Sequence, residues 1–163
     1  MCSDANRLTG SAATVSIQPV IVPSSSVVAR DAASSLRPCR ILLVEDHADT
    51  ALMMLRLLAR RGYAVTLATT FAEATQAIES RTFDLLLSDL GLPDGSGLDL
   101  MRAVASRSPK LPGIALSGYG MPDDARKSLD AGFLAHIPKP IAIERLWAAI
   151  DRALASCAAP MDV

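Results

Sequence analysis

An excess of charge of either sign is absent from the 163-residue sequence, in which 16 Lys and Arg stand against 17 Asp and Glu for a formal net charge of -1. That balance gives no electrostatic footprint for nucleic acid or an anionic membrane surface, and it points to proteins or small phosphorylated molecules as partners. Cysteine is scarce as well. Cys2, Cys39 and Cys157 are odd in number and spaced as neither a disulfide framework nor a zinc site, which suits a reducing cytoplasm. No stretch approaches the roughly 18 uninterrupted apolar residues that a membrane-spanning helix requires. Aromatic residues are missing altogether from residues 1–38, a segment rich in Ser, Ala and Val and broken by Pro19 and Pro23. Such a segment has too little apolar surface to offset the entropy of ordering, so a disordered leader is expected over 1–38. A secretory signal fits poorly, because Gln18 and the prolines interrupt the apolar stretch and Asp4 falls in what should be a basic region.

The remaining length suits one domain, and from Arg40 onward short apolar runs alternate with helical stretches. That alternation is the pattern of repeated strand–helix units around a parallel sheet, an α/β fold. Residues 40–45 (RILLVE) read as a strand, and 48–61 as a helix with Leu52, Leu55 and Leu58 at helical spacing before Gly62 stops it. A second strand covers 64–69, and Thr70 with Glu73 forms a capping box for a helix ending near Ser80. The run 83–88 (FDLLLS) carries three successive leucines, which implies a mid-sheet strand with both faces covered. A turn-rich segment over 91–97 leads to a helix at 98–106, a strand at 112–117, a helix at 122–131 and a fifth strand at 133–137. Ile143, Leu146, Trp147, Ile150 and Leu154 set an apolar stripe along a final helix.

Ligands of open parallel sheets bind beyond the carboxyl ends of the strands, and those positions are polar here. The first strand ends in Glu45-Asp46, the third in Asp89 and the fourth in Ser117-Gly118, while the fifth is followed by Pro138-Lys139-Pro140. Three crowded carboxylates stay ionised comfortably only beside a cation, and an all-oxygen cluster suits a hard ion. Magnesium takes one or two carboxylates and completes its octahedron with water and phosphate oxygens. A carboxylate is also a nucleophile able to form an aspartyl phosphate, with a hydroxyl and a Lys charge neutralising the phosphoryl oxygens. Asp89, Ser117 and Lys139 fit these roles. Each residue also has a plainer reading: Asp46 as a helix cap, Asp89 and Ser117-Gly118 as turn residues, Lys139 as a solvated lysine. Their joint occurrence in order on a five-unit sheet favours function. His47 is expected as a surface residue at the mouth of the site rather than as a metal ligand, since the other candidates are oxygen donors.

The motifs ILLVEDH, SDLGLPDGSG, IALSGYG and IPKPI, in this order, resemble those of the receiver domains of two-component response regulators and hybrid histidine kinases. The resemblance covers about 39–155 and leaves a short tail at 156–163. It implies a flavodoxin-like five-stranded parallel sheet of order 2-1-3-4-5 with five helices on its two faces. It implies Asp89 as phosphoacceptor, Asp46 and the backbone carbonyl of Gly91 as magnesium ligands, and Glu45 as an indirect one. Ser117 would bond the phosphoryl group, Lys139 would pair with it, and the donor would be a histidine kinase or a histidine phosphotransfer protein. The resemblance further implies a phosphorelay component, switched by its own phosphorylation and dephosphorylation, that acts on a downstream protein partner in the cytoplasm that the cysteines suit. Little sequence follows the fifth unit, so no separate output domain is expected, as in a single-domain regulator, a phosphate shuttle or the terminal receiver of a hybrid kinase. Two positions depart from the common pattern. His136 stands where the family usually carries the Phe or Tyr of its switch, and Gly91 leaves the neighbour of the acceptor without a side chain. Two alternatives remain beside this reading. An aspartyl-phosphate phosphatase typically has a second Asp two residues after the first, where this chain has Gly91. A receiver-like binding module independent of phosphorylation would not need all five signature positions filled with competent residues.

Overall fold

The computed structural model describes residues 37–118 and 122–158. The expected leader therefore lies outside the described residues except for Arg37 and Pro38, as do residues 119–121 and most of the expected tail. In chain order the elements are β1 (Arg40–Val44), α1 (Ala48–Arg60), β2 (Ala64–Ala68), α2 (Phe71–Ser80), β3 (Leu85–Asp89), β4 (Gly91–Leu92), β5 (Gly95–Ser96), α3 (Gly97–Arg107), β6 (Gly113–Ser117), α4 (Pro122–Asp130), β7 (Ala135–Pro138) and α5 (Ile143–Ala158). The five longer strands are all parallel to their neighbours in the order β2-β1-β3-β6-β7, which counted along the chain is 2-1-3-4-5.

The leucine-rich strands alternate cleanly between two cores, as side chains of successive strand residues must. Ile41, Leu43, Leu85, Leu87, Ile114 and Leu116 pack with Met54 and Leu58 of α1 and with Leu146 and Ile150 of α5. On the other face Leu42, Val44, Leu86 and Ala115 pack with Ala74 of α2, with Leu100, Met101 and Val104 of α3, and with Phe133. Burying a side chain of this size stabilises by about 1.5–3 kcal/mol, so a strand buried on both faces contributes from every residue. Among the described residues no helix is long and apolar enough to cross a membrane.

Helix phase is where the sequence pattern misleads. Leu52 is exposed, and α1 buries Ala51, Met54 and Leu58. At about 100° per residue, position 51 lies within roughly 20° of position 58, whereas 52 is about 120° away. The stripe on α5 shifts likewise: Leu146, Ala149, Ile150 and Ala153 are buried and Ile143 is exposed, while Trp147 lies at the edge beneath the Arg61 guanidinium, 4.1 Å from its ring centroid. The capping box on α2 is also offset by one residue. Thr70 Oγ1 accepts from the Glu73 amide at 3.1 Å, but the Glu73 carboxylate turns back to the amide of Thr69, not Thr70, at 2.7 Å. Gly62 ends α1 with a positive φ of 83°, a backbone setting that glycine adopts without a Cβ clash. The last helix continues to Ala158, past the expected domain limit at Ala155.

The segment 91–97 is more than a turn. β4 and β5 form a small antiparallel hairpin, and Asp94 at its tip accepts from the amides of Phe71 and Ala72 at 2.6 and 3.0 Å. Those amides hold the Asp94 carboxyl below its usual range and tie the hairpin to the start of α2. At the other end of the hairpin, Gly97 donates its amide to the Leu90 carbonyl at 3.0 Å, and a Cβ there would strike the Asp89 carbonyl and the Leu90 backbone. Neither neighbour is the end of a flexible side chain. Gly97→Ala is therefore expected to destabilise the domain by about 1–3 kcal/mol, the range of overpacked cores, as read from the urea midpoint. An unchanged midpoint would mean that the corner after β3 yields freely.

Candidate functional site

Four strands deliver their last residues to one rim. The Glu45 amide donates to the Ala68 carbonyl at 3.0 Å, extending the β1–β2 ladder one residue and turning the Glu45 side chain under the rim, where it is fully buried. Asp89 closes β3 in register with Leu116, and Ser117 closes β6; both are nearly buried. The Lys139 amide donates to the Ser117 carbonyl at 2.7 Å, which fixes the start of the Lys139 side chain beside β6. From there Nζ reaches Asp89 Oδ2 at 2.5 Å and Glu45 Oε2 and Oε1 at 2.7 and 3.0 Å.

An ammonium between two carboxylates resolves the problem that each group would pose alone. Burial works against the charge on Lys139, but the hydrogen bonds and charges of Asp89 and Glu45 outweigh it and hold its pKa above the ordinary lysine value. The other oxygen of Asp89, Oδ1, accepts from the Gly91 amide at 3.1 Å, so the carboxylate is oriented from both sides. Ser117 Oγ lies 3.0 Å from His136 Nε2. Burial keeps the His136 imidazole below its ordinary pKa, the nearby Asp124 charge offsetting only part of that effect.

Asp46 does not cap α1. The N-cap position belongs to His47, whose side chain makes no capping bond and instead places Nδ1 2.8 Å from Asp46 Oδ1 and 3.4 Å from Glu45 Oε1. One ligand-type atom from each of Glu45, Asp46, His47 and Asp89 falls within 4.8 Å of the others. His47 is thus exposed at the mouth, as expected, and yet part of the carboxylate cluster. Asp89, Gly91, Ser117, Lys139 and His47 share the wall of one cavity of about 570 Å³, together with Thr50, Ser96, Asp124 and Lys127. Thr50 and Lys127 were outside the sequence reading, since a helical Thr and Lys carry no motif.

Residues 41–151 match the family model of the response regulator receiver domain. This chain belongs to the response regulator receiver family. Among curated relatives, the response regulator protein PilR of Pseudomonas aeruginosa is 34% identical over 115 residues, covering 71% of this chain and 26% of the relative. The DNA-binding transcriptional regulator NtrC of Escherichia coli is 32% identical over 114 residues, 70% of this chain and 24% of the relative. The chain thus spans about a quarter of the length of these relatives. Among solved structures, a CheY-like response regulator receiver domain protein from Methanospirillum hungatei JF-1 superposes with a TM-score of 0.70 at 31% identity, over 74% of this chain and 97% of that one.

Removing the ammonium should expose what it holds in place. Lys139→Met leaves Glu45 as a buried carboxylate beside Asp89, and the loss expected for one partner of a buried pair is about 3–5 kcal/mol. Adding Glu45→Gln should restore much of that loss, which a double-mutant cycle on urea midpoints would show. Because the folded-state pKa of Lys139 is raised, its contribution is full below about 10.5 and fades as pH climbs through the raised value. The variant should lack that alkaline fall.

Proposed function

We propose that this receiver domain accepts a phosphoryl group on Asp89. The observation that carries the reading is the Lys139 ammonium, 2.5 Å from Asp89 Oδ2 on the wall of a solvent-open cavity. In the step, an Asp89 carboxylate oxygen bonds to phosphorus while the bond from phosphorus to the donor breaks, its electrons leaving with the donor group. Lys139 is then placed to shift from the carboxylate to the phosphoryl oxygens, and Glu45 keeps it charged while it does so. Asp46 and Asp89, with the Gly91 carbonyl, would hold magnesium, and Glu45, fully buried and bonded to Lys139, would act on it only indirectly. When bound, that ion supplies positive charge to the phosphoryl oxygens. The donor is a histidine kinase or a histidine phosphotransfer protein, and the response passes to a downstream protein partner in the cytoplasm. The chain turns over its own phosphoryl group and no outside substrate.

With magnesium and a small acyl phosphate, wild type should gain one base-labile phosphoryl group by intact-mass spectrometry, and Asp89→Asn none. Equal uptake by both proteins would move the acceptor elsewhere.

The bond between Ser117 and His136 gives the switch a physical starting point. For the Ser117 hydroxyl to donate to a phosphoryl oxygen it must leave or reorient this bond, and the His136 ring then loses a partner inside a partly buried site. β7 carries that change outward, because His136 is paired with Ala115 and adjoins Ile137 of the core. Phosphorylated wild type and His136→Ala should carry similar phosphate but differ in amide exchange along β7, α4 and α5. Identical exchange changes in the two proteins would make His136 a spectator.

A further inference from the structure

We propose that Asp124 and His136 couple the switch to a proton: the His136 imidazole takes one up from solvent when Asp89 carries a phosphoryl group, with the Asp124 carboxylate as its counter-charge. The inference rests on the reading of Asp89 as phosphoacceptor, and it makes Asp124 a positioning residue that acts on Ser117 only through His136. The contact of Ser117 Oγ with His136 Nε2, at 3.0 Å, can be made in two ways. Either the hydroxyl donates to a bare Nε2, or an Nε2–H donates to the hydroxyl oxygen. A hydroxyl has one hydrogen and two acceptor sites, so only the second form leaves that hydrogen for a phosphoryl oxygen. A neutral ring with its hydrogen on Nδ1 makes the first form, and an imidazolium can make only the second. Protonation therefore reverses the bond and directs the Ser117 hydrogen to the phosphoryl group without separating the two side chains. A ring that leaves Ser117 altogether also leaves the burial that disfavours its charge, so that route favours proton uptake as well.

The surroundings of the ring supply the counter-charge. Ala135 and Ile137 of β7 pack on the α5 side of the sheet, so strand alternation turns His136 to the other face, toward α4, and leaves the charged residues of α5 across the sheet from it. The neighbouring strand β6 (GIALS) brings no titratable side chain. Of the charged residues of α4, Asp123, Arg126, Lys127 and Asp130 are exposed and Asp124 is partly buried, on the wall of the cavity that also holds Ser117 and Lys139. The buried Ser128 fixes the Asp124 backbone there, its hydroxyl donating to the Asp124 carbonyl at 2.6 Å. Two cations work against the imidazolium: Lys127, 4.0 Å from Asp124, and Lys139, whose charge is matched by Asp89 and Glu45. Without phosphorylation, burial outweighs the Asp124 charge and the ring is held neutral more readily than a free histidine. Phosphorylation tips this balance, because a phosphoryl group carries about −1.5 to −2 charge at pH 7 where the carboxylate carried a single negative charge.

The test titrates the ring nitrogens of His136 by NMR between about pH 5 and 8, in the full chain with magnesium, with and without beryllium trifluoride as a stable stand-in for the phosphoryl group. The chain has two histidines, and the signals of His136 are those lost in His136→Gln. Without the adduct, His136 should titrate below the ordinary 6.5. With it, the midpoint should rise by about one pH unit or more. By linkage, the adduct then binds more tightly as pH falls from the upper midpoint to the lower, about tenfold for each pH unit between them, and gains nothing outside that window. Asp124→Asn should lower both midpoints, and Asp124→Glu, which keeps the charge, should bring them back. A midpoint that stays in place or falls when the adduct forms would overturn the proposal, as would midpoints indifferent to Asp124→Asn. Fluorine NMR reports the adduct itself: its absence from wild type would sink the phosphoacceptor reading and this inference together, whereas an adduct present in wild type, absent from Asp89→Asn and without effect on His136 would sink the inference alone.

Discussion

The contact of Lys139 with Glu45 and Asp89 is the constraint around which the rest of the rim is arranged. A carboxylate as buried as Glu45 would be several kcal/mol unfavourable without a partner, and the ammonium is that partner. The same ammonium lies against Asp89, so the group that makes burial of Glu45 tolerable also sits on the candidate nucleophile. For this to hold, the ends of β1, β3 and β7 must arrive within one lysine length of each other. β1 lies directly beside β3, and β6 bridges β3 to β7, so the order of the sheet is itself a condition of the charge arrangement.

Packing secures that order. β1, which leads into Glu45, and β3, which ends in Asp89, are buried almost throughout with helices packed on both faces, and their leucines cannot slip by one residue without exchanging one core for the other. Rigidity beneath the rim contrasts with the rim itself, where His47, Gly91, Ser96 and Lys127 line an open cavity. The hairpin of β4 and β5 joins the two regimes. It is held at its base by the Gly97 bond to Leu90 and at its tip by Asp94 on α2, so the loop that follows Asp89 is braced at two points.

Much of this was legible in the sequence because strands buried on both faces read as unbroken apolar runs, and the polar residues that end them stand out against that background. Asp46, Asp89, Ser117 and Lys139 were visible for that reason, and the structure gathers them. What was not legible depends on angles and partners. The phase of α1 failed because Leu52, Leu55 and Leu58 satisfy a three-residue step that drifts around the helix, whereas the core selects Ala51 and Met54, which are less conspicuous. The hairpin at 91–97 shows in the sequence as a turn alone, since two-residue strands have no periodicity. Donor type alone puts His47 at the surface, and the approach of its Nδ1 to Asp46 depends on a side-chain rotation that sequence does not specify. The bond from His136 to Ser117 joins residues 19 apart, and no local pattern announces it.

The glycines divide by what encloses them, and the division bears on access to Asp89. A Cβ on Gly97 would meet backbone and one on Gly113 would meet Met101 and Phe133, so packing dictates glycine at both. A Cβ on Gly91 or Gly118 would meet nothing within 4 Å, and neither residue has a positive φ. Neither packing nor backbone strain therefore requires glycine at these two positions on the cavity wall. Their effect is on space: neither residue puts a side chain into the cavity that they share with Asp89. A cavity of about 570 Å³ falls within the size range of small-molecule sites, so these two positions help set how large a group can reach Asp89. Side chains at 91 or 118 would narrow the opening over Asp89 from either flank, whatever group approaches it.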